Sequence, residues 1–319
     1  MLGPGAWGTA LGKIAHEGGH AVTLWGRPER LRAIRSTGEN TPYLPGIALP
    51  SNWQLEEDFQ KAIAQAEGVI LAVPSRSFAG VARQLGGFTG IAVSVTKGIE
   101  HDTGRTMGGL IEAHAPDAHT VALSGPSLAA EVARGIPTAL VCASTDYAAA
   151  RTVQEWFHRP TLRMYTSHDV LGVELGGALK NVMAIAAGVC DGLRLGDNAK
   201  AALITRGLNE MRRLGVAAGA EPETFAGLSG MGDLTVTCFS SLSRNRTLGE
   251  RIARGEALET VLASATAEGY PTAKSAKALA ARLNISTPII DQVHAMLHEG
   301  KAVDQAVQDL LTRTPRPEL

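Results

Sequence analysis

The chain reads as an α/β fold in two parts, a doubly wound sheet domain over residues 1–166 and an all-α domain over residues 167–319. Three observations lead there. Across the first half, short β-branched runs alternate with stretches of helical spacing, the pattern of βαβ units around a parallel sheet. After about Ser167 the strand signals stop, and helical patterns rich in Ala, Leu and Gly take over. At the N-terminus a glycine-rich turn opens straight into the first helical pattern.

Gly3-Pro4-Gly5-Ala6-Trp7-Gly8 has the form G-x-G-x-x-G, and Ala10, Leu11, Ile14 and Ala15 behind it share one helical face. Strands are expected at 20–25 (HAVTLW), 68–73 (GVILAV), 91–96 (IAVSVT), 120–123 (TVAL) and 138–142 (TALVC), joined by right-handed crossovers. Only Met1 and Leu2 precede the glycine turn, whereas a strand usually has about 5 residues. The first, central strand is therefore expected to be mostly missing, with the edges of its two neighbours left unpaired and a natural chain that extends a few residues upstream. The second half reads as helices broken by loops at 228–232 and 269–271. No repeat or low-complexity linker separates the halves, so the junction is tight and the cleft between them is the expected place for a small ligand.

Composition narrows the partners. Lys and Arg total 30 against 31 Asp and Glu, so no global basic field exists to hold a nucleic acid or an anionic membrane. Aromatic residues are only 4%, too few for a run of base-stacking platforms. The 36 glycines exceed the usual level of roughly 7% without a collagen-like period, which places them at turns and close approaches. Cys142, Cys190 and Cys238 are odd in number and far apart, a pattern that fits neither a disulfide framework nor a zinc site and suits a reducing compartment. No metal is expected among the nine histidines. With no leader pattern and no uninterrupted apolar run of about 18 residues, a soluble cytoplasmic protein is expected.

In a G-x-G-x-x-G turn between strand and helix, the glycines allow a tight turn and let backbone N–H groups approach a pyrophosphate. Gly3, Gly5, Ala6, Trp7 and Gly8 are thus candidate dinucleotide contacts, and the sheet domain is Rossmann-like. Where an acidic residue would read the ribose of NAD, this chain has Gly26-Arg27. Arg27 either pairs with the 2′-phosphate of NADP or is an ordinary surface charge. The expectation is that NADPH is accepted and preferred.

Taken in order, the segments GPGAWGTAL (3–11), LWGR (24–27), NTPYLPGI (40–47), AVPS (72–75), TKGIE (96–100), SGPS (124–127), VELGGALKNVMAIAAG (173–188), NAKAALITRGLNEM (198–211), GMGDLTVTC (230–238) and SRNR (243–246) resemble those of the bacterial-type NAD(P)-dependent glycerol-3-phosphate dehydrogenases. The resemblance implies reversible conversion of dihydroxyacetone phosphate and sn-glycerol 3-phosphate with NADPH or NADH. It also implies a supply of glycerophospholipid precursor and a homodimer.

Reduction of a ketone puts negative charge on the carbonyl oxygen, so a proton-delivering donor is needed there. Lys180, among Leu175, Leu179, Val182, Met183 and Ile185, is either a snorkelling surface lysine or a desolvated one of lowered pKa. The resemblance makes it the proton donor and acceptor, with Asn181 supporting the site. Lys97 follows a strand, at the sheet edge where ligands of open α/β folds gather, and by resemblance contacts both substrate and cofactor. Asp233 either caps a helix or, as the resemblance implies, orients Lys180. Thr237, four residues on, is a substrate hydroxyl donor or a core residue. In the 243–246 cluster an Arg fork and a helix N-terminus suit a phosphate. By resemblance Ser243, Arg244 and Asn245 bind substrate, Arg244 also reaches the cofactor, Gly125 and Ser127 line the substrate side, and Ala129 and Glu268 touch the cofactor.

Two other readings compete. Another dehydrogenase of the same architecture, acting on a 3-hydroxy acid or sugar acid, would also use an Arg clamp. A regulator that senses NADP without turnover would need neither Lys97 nor Lys180.

Overall fold

A computed structural model describes residues 1–315 and 317. The strands are β1 (Thr23–Trp25), β2 (Glu39–Asn40), β3 (Leu44–Ala48), β4 (Gln54–Glu56), β5 (Gly68–Leu71), β6 (Ile91–Ser94), β7 (His119–Ser124), β8 (Thr138–Ala143) and β9 (Leu162–Ser167). Between them run α1 (Ala6–Glu17), α2 (Pro28–Thr37), α3 (Phe59–Ile63), α4 (Ser75–Ala82), α5 (Met107–His114), α6 (Ala129–Ala133) and α7 (Tyr147–Phe157). The remainder is helical: α8 (Val170–Gly192), α9 (Asp197–Ala217), α10 (Asp233–Phe239), α11 (Arg244–Ala253), α12 (Leu258–Ser264), α13 (Gly269–Arg282), α14 (Pro288–His298) and α15 (Val303–Leu311).

The place of the central strand is taken by residues 1–3. Leu2 bridges Trp25 on one side and Leu71 on the other, both in parallel. Leu2 N donates to Ile70 O at 2.8 Å, Ala72 N to Leu2 O at 2.9 Å, Gly3 N to Trp25 O at 3.0 Å and Trp25 N to Met1 O at 2.9 Å. The expected unpaired edges are therefore paired over this short length, and the stub joins the β1–β4 pair to the five-stranded sheet β5-β6-β7-β8-β9. Buried Leu2 packs with Val69, Leu71 and Phe78, which gives the stub an apolar anchor as well as hydrogen bonds.

The sheet is not wholly parallel, because β7 and β8 run antiparallel. Their connection holds only the five-residue α6 and need not cross the sheet, so α6 stays at the ligand edge, against α1. The sheet also has a strand beyond those expected, β9, whose start alternates buried Leu162 and Met164 with exposed Arg163 and Tyr165, the period of a half-buried strand.

In the second half α8 is the axis. It is buried from Gly172 through Val189 without a break, wrapped by α9, α10, α11, α13 and α14. Among the described residues it is the one helix long and apolar enough to cross a membrane, and its apolar surface is spent on this core. Gly188 and Gly249 let α8 and α11 touch backbone to backbone. A Cβ on Gly188 would fall 1.9 Å from Arg246 O, and one on Gly249 would fall 1.9 Å from Ile185 O. Any side chain there would push the 243–246 segment off α8.

Candidate active site

The carboxyl ends of residues 1–3, β5, β6 and β7 bring the glycine turn, Ser75, Lys97 and Gly125 to one edge of the sheet. Gly3 takes φ +115°, which L side chains avoid, and a Cβ there would lie 2.8 Å from Ala72 O. A Cβ on Gly8 would lie 2.3 Å from Gly3 O, whereas one on Gly5 would meet nothing nearer than 3.9 Å. The first and third glycines thus close the turn and seat α1, while the second leaves open space beside the helix start. The N–H groups of Ala6, Trp7 and Gly8 in that first turn have no acceptor within the helix, and Gly5 offers no side-chain cap. This cradle fits a pyrophosphate.

Buried Asn40 braces the turn, donating from Nδ2 to Pro4 O at 2.8 Å and to Thr9 Oγ1 at 2.7 Å. It stands in the 40–47 motif, where nothing local marks its role, since its partners lie more than 30 residues away. Arg27 is exposed, beside Gly26 and the Pro4 ring against which Gly26 packs. Ala129 opens α6 and shares an apolar cluster with Trp7.

Facing this edge, α8 and α10 supply the charged centre. Lys180 Nζ donates to Asp233 Oδ1 at 2.7 Å and to Thr237 Oγ1 at 2.7 Å. Lys97 Nζ donates to the other carboxylate oxygen, Oδ2, at 2.5 Å and to Gly125 O at 3.1 Å. An ammonium has three N–H donors, so each lysine retains one for a ligand. Two ammonium groups around one carboxylate also leave a positive charge for a developing oxyanion.

Burial pulls Lys180 down to about 8, with Asp233 opposing and Lys97 adding to the fall. Burial pushes the Asp233 carboxyl up, but the charges of Lys180 and Lys97 outweigh it and hold the group below the usual carboxylate range. The start of α10 also favours a negative charge at Asp233. The snorkelling alternative for Lys180 is removed by its packing, since its side chain is only 8% exposed.

Thr237 lies beside Lys180 and Asp233. Its hydroxyl donates to Asp233 O at 2.6 Å while accepting from Lys180, so its one proton is used inside the protein. It holds Lys180. Ser243 is likewise a helix cap, its Oγ accepting from Arg246 N at 3.2 Å. Asn245 is clasped between Asn181 Oδ1, to which it donates at 2.8 Å, and Gly269 N, from which it accepts at 2.9 Å.

Arg244 is exposed at the first turn of α11, and its side chain makes no hydrogen bond or ion pair with another described residue. Arg246 is committed elsewhere, to Asp191 at 2.6 Å and Glu250 at 3.4 Å. Ser127 Oγ donates to Gly125 O at 2.9 Å, stiffening the loop that also receives Lys97.

Glu268 reaches across to the sheet domain, accepting from the Ser75 hydroxyl and, at 3.3 Å, from Ser75 N. Ser75 was visible only as the last letter of a motif; its partner is 193 residues away. Among the described residues no cluster of His, Cys, Asp and Glu could hold a metal ion.

Comparison with known proteins follows the same outline. Residues 1–150 match the family model described as the NAD-dependent glycerol-3-phosphate dehydrogenase N-terminus, and residues 169–308 match its C-terminus. A glycerol-3-phosphate dehydrogenase [NAD(P)+] of Chlorobium phaeobacteroides is 45% identical over 328 residues, spanning 100% of this chain and 98% of that protein. One from Thiobacillus denitrificans is 48% identical, with 100% and 98% covered. The crystal structure of a glycerol-3-phosphate dehydrogenase from Coxiella burnetii superposes with a TM-score of 0.94 at 36% identity, covering 98% of each chain.

Proposed function

Because the chain belongs to the NAD-dependent glycerol-3-phosphate dehydrogenase family, we propose that it interconverts dihydroxyacetone phosphate and sn-glycerol 3-phosphate, with NADPH or NADH. The observation that carries the reading is the Lys97–Asp233–Lys180 centre at the carboxyl edge of the sheet. When bound, the dinucleotide supplies the hydride. Gly3, Gly5 and Gly8, with the N–H groups of Ala6 and Trp7, would hold its pyrophosphate; Arg27, Lys97, Ala129, Arg244 and Glu268 are its further contacts.

As the C2 carbonyl oxygen gains negative charge, the free N–H of Lys180 stabilises it and delivers the proton. In the reverse direction the neutral amine takes the proton of the C2 hydroxyl. Asp233 and Thr237 aim Lys180 by occupying its other two donors. Lys97, held by Asp233 and Gly125, offers its remaining N–H to the substrate. Arg244, with the first-turn N–H groups of α11, grips the phosphate, and Asn245 fixes that turn against Asn181.

The same reading makes residues 1–166 the dinucleotide domain and 167–319 the substrate domain, of which residues 316, 318 and 319 lie outside the described ones. It also has the chain act as a cytoplasmic homodimer that feeds glycerophospholipid synthesis. The 3-hydroxy-acid or sugar-acid alternative is not favoured, since the full-length relatives carry the glycerol-3-phosphate name.

The test is the loss of NADPH absorbance on adding dihydroxyacetone phosphate, beside NADH and unphosphorylated dihydroxyacetone. Oxidation that depends on the phosphate ester is expected. NADPH oxidation by a 3-oxo acid and none by the phosphate ester would overturn the reading.

A further inference from the structure

The resemblance and the reaction leave Glu174 without a role, although it is a charged residue only 8% exposed in the first turns of α8. Its carboxylate does not serve its own helix. Oε1 accepts from Gly108 N of α5 at 2.7 Å. A Cβ on Gly108 would lie 2.8 Å from Oε2, so the glycine is what allows the carboxyl to seat on the α5 N-terminus. Burial drives its pKa up to about 7, against the pull of the Thr106 hydroxyl and the Gly108 N–H. Keeping such a group is costly unless its contact is needed.

The contact ties α8, which carries Lys180, to the start of α5, where the loop that follows Lys97 ends. Lys97 starts the loop that ends at α5, and that loop is closed on itself. Ile99 bridges Thr106, and Glu100 N donates to Arg105 O at 2.8 Å. Fixing the start of α5 therefore fixes the turn that carries Lys97. Ile99 adds a second anchor, buried in the helical core with Leu175 and Ala178, one and four residues after Glu174 in α8. Six residues after Glu174, the same helix carries Lys180.

We propose that Glu174 is a positioning residue, tying the Lys97 loop through the α5 N-terminus to the helix of Lys180 and so setting the spacing of the two ammonium groups about Asp233. The inference rests on the reading that these lysines serve the reaction.

Glu174→Ala, Glu174→Asp and Glu174→Gln are compared with Glu210→Ala. Glu210 is a matched control, a buried carboxylate that accepts from Ile289 N at 3.0 Å and Ile290 N at 2.9 Å at the start of α14. Three quantities are read: kcat with dihydroxyacetone phosphate and NADPH, thermal stability, and the titration of Lys180 by NMR on protein carrying 13Cε-lysine. Glu174→Ala, and Glu174→Asp, whose carboxylate is one methylene too short to keep the contact, should lower kcat roughly tenfold to a hundredfold. Both should raise the Lys180 pKa by roughly half a unit or more, because a displaced Lys97 no longer depresses it. Glu174→Gln keeps an acceptor for Gly108 N–H and should restore kcat to within about threefold of the parent. Glu210→Ala should lose stability with kcat and the Lys180 titration unmoved.

If Glu174→Ala does not fold, Glu174→Asp decides. Variants that lose stability like Glu210→Ala but leave the Lys180 titration in place would overturn the proposal. A parent protein inactive on dihydroxyacetone phosphate would sink the reaction assigned above, while the titration would still decide the role of Glu174.

Discussion

The Lys180 ammonium and the Asp233 carboxylate meet at 2.7 Å with both side chains almost wholly withdrawn from water. Burial alone would discharge the lysine, and the carboxylate keeps enough charge on it to leave its pKa at about 8 rather than lower. A base with that value is poised to give and take a proton near neutral pH.

The pH dependence follows in sign. Ketone reduction needs Lys180 protonated, so kcat/KM for dihydroxyacetone phosphate should hold below about 8 and fall as pH rises through it. Oxidation of the alcohol needs the neutral amine and should rise through the same value. Initial rates in both directions from pH 6 to 10 check this. Parallel profiles would remove Lys180 as the shared acid and base.

Asp233→Asn keeps the size of the side chain but leaves two ammonium groups facing each other without a counter-charge. Turnover should fall by roughly 10² to 10⁴, with the alkaline limb of the reduction profile moving to lower pH. NADPH affinity, measured by fluorescence titration, should change little, because the glycine turn is untouched.

Arg244→Ala should raise KM for dihydroxyacetone phosphate by roughly 10- to 100-fold, the worth of a charge-assisted hydrogen bond or two. Since Arg244 has no partner among the described residues, its loss should leave thermal stability unchanged. Any residual rate with unphosphorylated dihydroxyacetone should also be unaffected, and steady-state kinetics with both ketones separates these effects.

Arg27→Ala should weaken NADPH more than NADH, since only the former carries a 2′-phosphate. Equal losses in kcat/KM for the two cofactors would make Arg27 a surface charge.

Glu210 offers a stability test away from the site. Burial raises its pKa from 4.5 to about 7, with the two isoleucine N–H groups opposing. A carboxyl whose folded pKa lies above the unfolded one favours folding below the unfolded value and loses that contribution as pH rises through the folded one. Between pH 4.5 and 7 the parent should therefore lose stability more steeply than Glu210→Gln, as read from Tm against pH. Glu210→Ala, which strands two N–H groups, should cost about 1–3 kcal/mol.

Much of the plan was legible because it is local. The glycine turn, the β-branched runs and the change to helical spacing after Ser167 are patterns of neighbours along the chain, and the family segments hold the reactive lysines in fixed words. What was not legible has long-range causes. Nothing in residues 1–3 reveals that they pair with both β1 and β5, because those partners come from elsewhere. The antiparallel β7–β8 pair depends on which way a connection folds back, and Thr237 and Asn245 are engaged by residues 57 and 64 positions away.

By itself, then, the amino-acid sequence determined the architecture and the chemistry on offer, because propensity and periodicity are written along the chain, and its family-like segments point to Lys97, Lys180 and Asp233. Only the tertiary structure decided what those groups are. Burial gave Lys180 its lowered pKa, Asp233 became the bridge between two lysines from different elements, and Glu174 turned from an ordinary helix residue into a tie on the Lys97 loop. Desolvation and hydrogen bonding depend on what surrounds a group in space, and that surrounding exists only once the two halves are packed together.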